Sequence, residues 1–155
     1  MEEIIFECII VIKLVTGTVL GGIIGYDRER RGIDAGIRTY AAVCLGGTLF
    51  TSVAEHLEDL TAMSRIIANI VMGIGFLGAG IIHRNVSSNT SHGLTTAATL
   101  WCTAAVGVAV GLRMIMIAVT AVAILYFLLS LERQKWYIQW KIKLKGKRDK
   151  YTSGE

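Results

Sequence analysis

Residues 4–26 read IIFECIIVIKLVTGTVLGGIIGY, a run in which Glu7 and Lys13 are the only charged side chains. A helix that crosses a membrane needs about 20 predominantly apolar residues. The run meets both requirements of length and composition, and it therefore predicts a transmembrane helix near the start of the chain.

Four further apolar runs follow the first one. They predict spans at about residues 37–54, 65–82, 94–111 and 114–131. Only Leu112 and Arg113 separate the last two spans, which indicates a tight helical hairpin. The predicted fold class is an all-α integral membrane protein, a bundle of five transmembrane helices within residues 1–131. A short basic tail, residues 132–155, follows the bundle.

The composition of the 155-residue chain favours a membrane protein. Hydrophobic residues make up 53% and charged residues 18%, whereas a soluble domain carries about 25% charged residues. The three cysteines lie far apart in apolar runs without CxxC or Cys/His spacing, so no zinc site or disulfide framework is predicted. We expect neither a metal nor a cofactor. No basic segment precedes the first apolar run, and a cleaved signal peptide is not predicted.

The basic residues predict the orientation of the spans. The loops after the first and third spans, together with the tail, hold 13 of the 16 Lys and Arg residues, whereas the other two loops hold only Arg65 and Arg113. Because loops rich in Lys and Arg stay in the cytoplasm, the N-terminus is predicted outside and the C-terminus inside. The net charge of +4 would then meet anionic lipid rather than nucleic acid.

The tail alternates apolar and polar side chains. Residues 136–144 read WYIQWKIKL, and a period of two is typical of a strand with one apolar face. Since a lone strand needs a partner edge, such a strand would pair with the same segment of a second chain. The alternative is a disordered or helical tail, held at the membrane surface by tryptophan and lysine.

Glycines recur on the predicted helices at spacings that let helix backbones approach closely. On the first helix they stand at i, i+4 and i+8, and on the third they fall within GIGFLGAGII, residues 73–82. This run contains GxGxxG, but no strand precedes it, so a nucleotide site is not predicted. Close packing is favoured over hinge motion. The predicted packing glycines are Gly17, Gly21, Gly25, Gly73, Gly75, Gly78 and Gly80.

Lys13 lies near the middle of the first span and four residues before Gly17, on the face of the glycine row. We therefore expect it to face protein rather than lipid. Glu7 is roughly 240° away around the helix and cannot be its direct partner. An ionisable group inside a span is a functional candidate. The alternative is a structural ion pair, or a lysine that reaches out to the membrane interface.

Four blocks of the sequence resemble the MgtC/SapB family of bacterial inner-membrane proteins, in that family's order and spacing. They are LGGIIGYDRERRG at residues 20–32, AGIRTYAAVCLGGTLF at 35–50, RIIANIVMGIGFLGAGII at 65–82 and GLTTAATLWCTAAVGVAVG at 93–111. The resemblance implies five helices, a place in the inner membrane, and roles in survival at low Mg²⁺ and in virulence. It also implies regulation of membrane ATPases.

The sequence departs from the family pattern at a few positions. Asp27 stands where the family usually has Glu, Asn69 where Gln is common, and His92 where a basic residue is frequent. Many members continue into a soluble cytoplasmic domain, whereas this sequence runs for about two dozen residues beyond the fifth span. We expect a short form without that domain.

Polar residues gather at the predicted cytoplasmic ends of the spans. Because helix N-termini attract anions, Thr95 and Thr96 could hold a phosphate or lipid headgroup together with Arg28 and Arg38. The alternative is plain helix capping within a charge network at the lipid boundary. The candidate functional residues are Lys13, Asp27, Arg28, Glu29, Arg38, Thr39, Asn69, Thr95 and Thr96.

Three functions remain open at this point. The chain could regulate another membrane protein such as an ATPase, form part of a small magnesium transporter or channel, or bind a lipid or phosphate ligand. No nucleophile is placed beside a base, so an enzyme is not expected. The outer pair Glu55 and Asp59 is interpreted as part of a solvated loop rather than a Mg²⁺ site. Glycine-rich faces also raise the possibility of a homodimer.

Overall fold

The computed structural model describes residues 2–85, 90–131, 134, 136, 137, 139, 140, 142 and 143. Within these residues the chain forms five helices and one short hairpin. The elements are α1 (Glu2–Glu29), α2 (Ile37–His56), α3 (Leu60–Ile81), β1 (His83–Asn85), β2 (Thr90–His92), α4 (Leu94–Gly111) and α5 (Ile115–Ser130). Each helix matches a predicted span, with bounds that differ by about five residues or fewer. The all-α membrane bundle is therefore confirmed.

Four of the described helices, α1 to α4, are long enough and apolar enough to cross a membrane. The fifth, α5, is strongly apolar but has 16 residues, which is about 24 Å of helix. That is slightly less than the roughly 30 Å of a hydrocarbon core. The chain is a multi-pass membrane protein in which α5 is the shortest helix.

The centre of the bundle lies between α1, α2 and α4. α5 packs on α4. α3 packs mainly on α4 and makes a smaller contact with α2. Lipid is as apolar as these side chains, so close van der Waals fit rather than hydrophobicity holds the helices together. The buried apolar side chains of the core are Leu20, Ile24, Tyr40, Cys44, Leu100, Val106, Val110, Ala118, Val122, Leu125 and Leu129.

The glycine row of α1 packs directly on α2. A methyl group added at Gly21 would lie 2.5 Å from the backbone oxygen of Tyr40, and one added at Gly25 would lie 2.6 Å from the Cα of Ile37. Contacts this short require a shift of the backbone. The packing predicted for this row is therefore present, and glycine is what allows α1 and α2 to touch.

α3 differs from the prediction. Its one buried residue among those described is Gly78, where an added Cβ would lie 3.4 Å from the Cβ of Ala97 on α4. An added Cβ at Gly73, Gly75 or Gly80 would meet no atom within 4 Å. The prediction that these three glycines pack is wrong within this chain. Helical spacing shows which residues share a face, but it does not show whether another helix covers that face.

A short antiparallel hairpin joins α3 to α4. His83 is paired with His92, and Asn85 with Thr90. No strand was predicted here, because the segment is polar apart from Val86 and shows no period of two. Gly93 follows with a φ of +87° and caps α4, so the turn into α4 uses the left-handed conformation that glycine tolerates best.

The strand predicted for residues 136–144 is wrong at the residues that the structure describes. Positions 136, 137, 139, 140, 142 and 143 have helical backbone, and the Tyr137 and Trp140 rings lie 6.0 Å apart, one helical turn along. The other three residues of the segment lie outside the described residues. A helix satisfies its own backbone hydrogen bonds, whereas a strand here would need a partner. A dimer formed by paired tail strands is therefore not supported.

Candidate functional site

Lys13 is buried between three helices, with 5% of its side chain exposed. Its ammonium nitrogen lies 2.5 Å from the Glu55 carboxylate of α2. The same nitrogen donates a hydrogen bond of 2.7 Å to the backbone oxygen of Gly111, the last residue of α4. A buried charge is tolerated when it is both paired and hydrogen-bonded, and Lys13 meets both conditions. It faces protein, as its place on the glycine face predicted.

Glu55 joins Lys13 to a second cation. Its other carboxylate oxygen lies 3.3 Å from the Nε of Arg113, in the turn between α4 and α5. Arg113 has a φ of +62°, a conformation that a non-glycine residue adopts at a cost of about 1–2 kcal/mol. We call Lys13, Glu55 and Arg113 the outer ion cluster, after the orientation that the loop charges predict. The sequence pattern indicated a solvated loop at Glu55, and its role as the partner of Lys13 was missed.

The outer ion cluster lies at one end of the bundle, although Lys13 is near the middle of α1. Glu55 and Gly111 stand at the ends of α2 and α4, so Lys13 is level with those ends. The eleven residues of α1 before Lys13 extend about 16 Å further along the helix axis. Along this extension the Phe6 ring stacks on His56 with centroids 4.5 Å apart. Lys13 therefore lies at one end of the helix bundle rather than at its centre.

A second ionic group occupies the opposite end of the bundle. Asp27 and Arg28 are buried, with 4% and 3% exposed. Asp27 lies 2.5 Å from Arg31, and Arg31 also donates a 2.7 Å hydrogen bond to the backbone oxygen of Leu129 at the end of α5. Arg28 donates to the hydroxyl of Thr96 over 3.1 Å. These bonds tie α1 to α4 and α5, and we call Asp27, Arg28, Arg31 and Thr96 the inner ion cluster.

Other predicted site residues lie apart from the inner ion cluster. Arg38 and Thr39 are exposed and line a cavity of about 690 Å³ with Glu29 and Asp34. The Glu29 carboxylate accepts a 2.8 Å hydrogen bond from the backbone N–H of Ile37. It therefore already occupies the anion-attracting first turn of α2.

The predicted polar residues do not form one site. Arg28 and Thr96 are joined inside the bundle, Arg38 and Thr39 face a separate cavity, and Asn69 lies on α3. Thr95 is exposed at the first turn of α4, where its backbone oxygen accepts from Thr99. The predicted topology placed Arg28, Arg38, Thr39, Thr95 and Thr96 near one membrane face, but only the packing decided which of them meet.

Buried hydroxyl groups run between the two ion clusters. Thr48 donates to the backbone oxygens of Cys44 and Gly107, at 2.9 and 3.1 Å, so it links α2 to α4. Within the described residues, the buried hydroxyls of Thr51 and Ser52 have no hydrogen-bond partner, whereas the Tyr40 hydroxyl lies near the side chains of Thr99 and Arg28. No sequence motif singled out these residues, although Tyr40, Thr48 and Ser52 follow one another at helical spacing on α2. The buried hydroxyl residues are Tyr40, Thr48, Thr51, Ser52, Thr96, Thr99 and Thr103.

Close contacts at glycines leave no space between α2 and α4 at these positions. An added Cβ at Gly47 would lie 2.8 Å from the backbone oxygen of Ala104, and one at Gly111 would lie 2.6 Å from the Cβ of Thr51. The hydroxyl residues are thus enclosed by helix backbones in direct contact. The interior of α1, α2 and α4 is a packed core rather than a pore.

A large apolar cavity lies outside this core, between α2 and α3. It has a volume of about 600 Å³, and we call it the α2/α3 groove. Asn69 is the polar side chain among its lining residues. The lining residues are Ala42, Val43, Gly46, Gly47, Phe50, Ile66, Asn69, Ile70, Gly73, Ile74 and Leu77.

Comparison with known proteins gives a match over most of the chain. The model of the MgtC family matches residues 14–135, a stretch that begins directly after Lys13 in α1 and continues past the end of α5. The chain belongs to the MgtC family. The resemblance inferred from the four sequence blocks is thereby confirmed.

Several curated proteins are similar to this family member. Protein MgtC of Brucella abortus (strain 2308) is 45% identical over 103 residues, which are 66% of this chain and 42% of that protein. Protein MgtC of Salmonella typhimurium (strain LT2) is 40% identical over 125 residues, 81% of this chain and 53% of that protein. Protein SrpB of Synechococcus elongatus is 37% identical over 111 residues, 64% of this chain and 61% of that protein. The chain spans about half the length of these relatives. No solved structure matches the chain.

Proposed function

We propose that this MgtC-family protein regulates ion homeostasis in the bacterial inner membrane by contacting another membrane protein, such as an ATPase. On this proposal it supports survival at low Mg²⁺ and, in a pathogen, virulence. The N-terminus would lie outside and the C-terminus in the cytoplasm, as the distribution of Lys and Arg predicts. Membership of the family and the names of its relatives support the proposal.

The packed core of α1, α2 and α4 is the observation that favours a regulator over a transporter. The two ion clusters lie at opposite ends of this core, but the helix backbones between them touch at glycines. A hydrated cation needs a water-filled path or a series of oxygen ligands. The hydroxyl of Thr48 is instead held by backbone oxygens of the core. The surfaces available for function are therefore the outer faces of the bundle.

A magnesium transporter is the second candidate, and Lys13 with Glu55 is the observation that favours it. An ion pair near one end of a bundle can open and close a path when a helix moves. A phosphate or lipid site is less well supported, because the predicted Arg and Thr residues are divided between the inner ion cluster and a separate cavity.

Flux and complementation measurements distinguish the two candidates. Purified protein in liposomes that contain a Mg²⁺-sensitive dye should give the same flux as protein-free liposomes. In a strain that lacks its own family member, the protein should restore growth at low Mg²⁺ and change ATP hydrolysis by isolated membranes. A Mg²⁺ flux that the wild type supports and Lys13→Met abolishes would replace the regulator with the transporter.

A further inference from the structure

A small cavity beside the outer ion cluster plays no part in the proposed regulatory function. It has a volume of about 210 Å³ and lies between α1 and the start of α5, and we call it the α1/α5 pocket. Its charged lining residues are two cations, Lys13 and Arg113, whereas the carboxylate of Glu55 is not part of the lining. The lining residues are Ile9, Ile12, Lys13, Thr16, Arg113 and Ile115.

The outer ion cluster has a net charge of +1, because two cations share one carboxylate. Lys13 uses two of its three ammonium N–H groups, one on Glu55 and one on a backbone oxygen of α4. Arg113 approaches Glu55 through its Nε, and its two terminal guanidinium nitrogens have no partner among the residues that the structure describes. The cluster therefore keeps N–H donors that can bind an anion.

The other carboxylates at this end of the bundle do not lie beside the pocket. Glu7 is nine residues from Thr16, which is about 180° around α1. Glu58 and Asp59 stand in the turn between α2 and α3, two helices that supply no lining residue. Asp59 is also engaged, because it accepts hydrogen bonds from the first turn of α3. The two cations therefore set the local charge of the pocket.

Arg113 occupies a position where glycine is the usual residue. Its N–H donates to the backbone oxygen of Val110 over 3.0 Å. The N–H of Met114 donates to the backbone oxygen of Ala109 over 2.8 Å, which completes the double hydrogen bond of a Schellman turn. This turn needs a left-handed residue at position 113, and glycine adopts that conformation without steric cost. The backbone favours glycine here, so the arginine contributes through its side chain.

We propose that the α1/α5 pocket binds an anionic phospholipid, with its phosphate on the two cations and its hydrocarbon on the isoleucines. A guanidinium group binds phosphate oxygens through two parallel N–H bonds. Ile12 and Ile115 are 66% and 40% exposed, so the pocket opens toward the outside of the bundle. α4 is long enough to cross a membrane and ends at Gly111. Arg113 thus follows the end of a span, and lipid headgroups flank the ends of spans.

The size and composition of the pocket favour part of a lipid over a free ion. The pocket is smaller than the roughly 300–1,000 Å³ of cavities that enclose a whole small ligand. It suits a phosphate and the first part of one chain, while the rest of the lipid stays in the bilayer. A free phosphate ion brings no hydrocarbon for the isoleucines, and a zwitterionic headgroup brings a cation that the net positive charge repels.

This pocket is distinct from the Arg and Thr residues that the sequence suggested for a phosphate or lipid headgroup. It lies at the opposite end of the bundle from the inner ion cluster and uses Lys13 and Arg113 instead. The lipid site does not depend on the proposed regulatory function and would stand if that function failed.

Native mass spectrometry of the full chain, purified in detergent, tests the site. A first dioleoylphosphatidylglycerol should bind at a lower concentration than a first dioleoylphosphatidylcholine. Arg113→Gly should raise the dissociation constant of that phosphatidylglycerol about 10-fold, or about 1.4 kcal/mol, since it removes hydrogen bonds to a charged group. Because glycine suits the turn, this variant should stay folded, and thermal unfolding in detergent verifies that it does.

Arg65→Gln is the matched control for charge. Arg65 is an exposed cation on α3, near the same end of the bundle but outside the pocket. Its loss should leave the affinity for phosphatidylglycerol as in the wild type. Equal weakening by Arg113→Gly and Arg65→Gln, or equal affinity of the wild type for the two lipids, would overturn the proposal. Displacement of phosphatidylglycerol by inorganic phosphate would overturn a lipid as the occupant.

Filling the pocket tests the site without changing its charge. Thr16→Phe should raise the dissociation constant of dioleoylphosphatidylglycerol several-fold, because the phenyl ring would take the space of the lipid. Val11→Phe is the control, since Val11 is exposed and lies about 140° around α1 from Thr16. Unchanged affinity in Thr16→Phe would refute the pocket as the place where the lipid binds.

Discussion

At the scale of single residues, two neighbouring glycines of α1 have opposite surroundings. An added Cβ at Gly21 would lie 2.5 Å from the Tyr40 oxygen, whereas one at Gly22 would have Ile37 as its nearest neighbour, at 3.9 Å. Helix propensity is the same at both positions, so their difference isolates the contact between α1 and α2. The row of glycines contributes to the fold only where another helix covers it.

Gly21→Ala should therefore destabilise the protein, and Gly22→Ala should not. Overpacking of a well-packed site costs about 1–3 kcal/mol, while alanine at an open helical position gains up to about 1 kcal/mol over glycine. Thermal unfolding in a mild detergent measures both variants under one condition. A Gly21→Ala protein as stable as Gly22→Ala would show that α1 and α2 do not meet at this row.

Lys13 illustrates a different residue-scale effect, the dependence of a buried charge on its partner. Removing one member of a buried ion pair leaves the other uncompensated and typically costs about 3–5 kcal/mol. The partly exposed Glu55 can regain water more easily than Lys13. We therefore expect Glu55→Gln to destabilise more than Lys13→Met.

The double variant Lys13→Met with Glu55→Gln completes the test. If the two side chains interact, the double variant should lose less stability than the sum of the single losses. Additive losses would mean that the pair contributes no coupling. Growth at low Mg²⁺ is the second readout: normal growth with Lys13→Met would assign Lys13 a structural role only.

At the scale of elements, α3 stands out because so little of it is held by the rest of the bundle. Its first turn is held locally instead. Asp59 accepts hydrogen bonds from the backbone N–H groups of Thr61 and Ala62, at 2.8 and 3.2 Å. A capping side chain contributes typically about 1 kcal/mol, and this matters most for a helix with few tertiary contacts.

Asp59→Ala should loosen the first turn of α3. Hydrogen exchange at the amides of residues 61–64 should become several-fold faster, while exchange in α2 stays unchanged. Asp59→Asn keeps the cap and should behave like wild type. The control is Glu58→Ala, since Glu58 is exposed and adjoins the cap without donating or accepting in it. Equal exchange in Asp59→Ala and Glu58→Ala would contradict the role of the cap.

At the scale of the whole molecule, the two ends of the bundle carry different charge groups. The outer ion cluster combines two cations with Glu55, and the inner ion cluster binds α1 to α4 and α5. The distribution of Lys and Arg in the loops predicts how these ends are oriented in the membrane. On this prediction the outer ion cluster lies on the outside of the cell.

Single cysteines on opposite ends test the orientation. In a Cys8→Ser background, Leu57→Cys should react with a membrane-impermeant maleimide in intact cells, since Leu57 is exposed beyond α2. Asp34→Cys, exposed in the turn between α1 and α2, should react only after the inner membrane is opened. Labelling of Asp34→Cys alone in intact cells would reverse the orientation.

The sequence alone determined the positions of the helices, because a membrane span is defined by local length and hydrophobicity. It also determined that Lys13 and the glycine row of α1 share a face, since helical periodicity is a local property. The tail is the exception: the period of two at residues 136–144 favoured a strand, yet its described residues are helical. A lone strand has no neighbouring strand to pair with its backbone N–H and C=O groups. The need to satisfy these groups outweighs the period-two pattern.

Only the tertiary structure decided which helix each face meets. Glu55 and Gly111 lie 42 and 98 residues from Lys13, and nothing in local spacing selects them as its partners. The same holds for the glycines of α3, where Gly78 meets Ala97 while Gly73, Gly75 and Gly80 remain uncovered. The physical reason is that periodicity specifies a direction around one helix axis. The neighbour in that direction depends on how all the helices fit together.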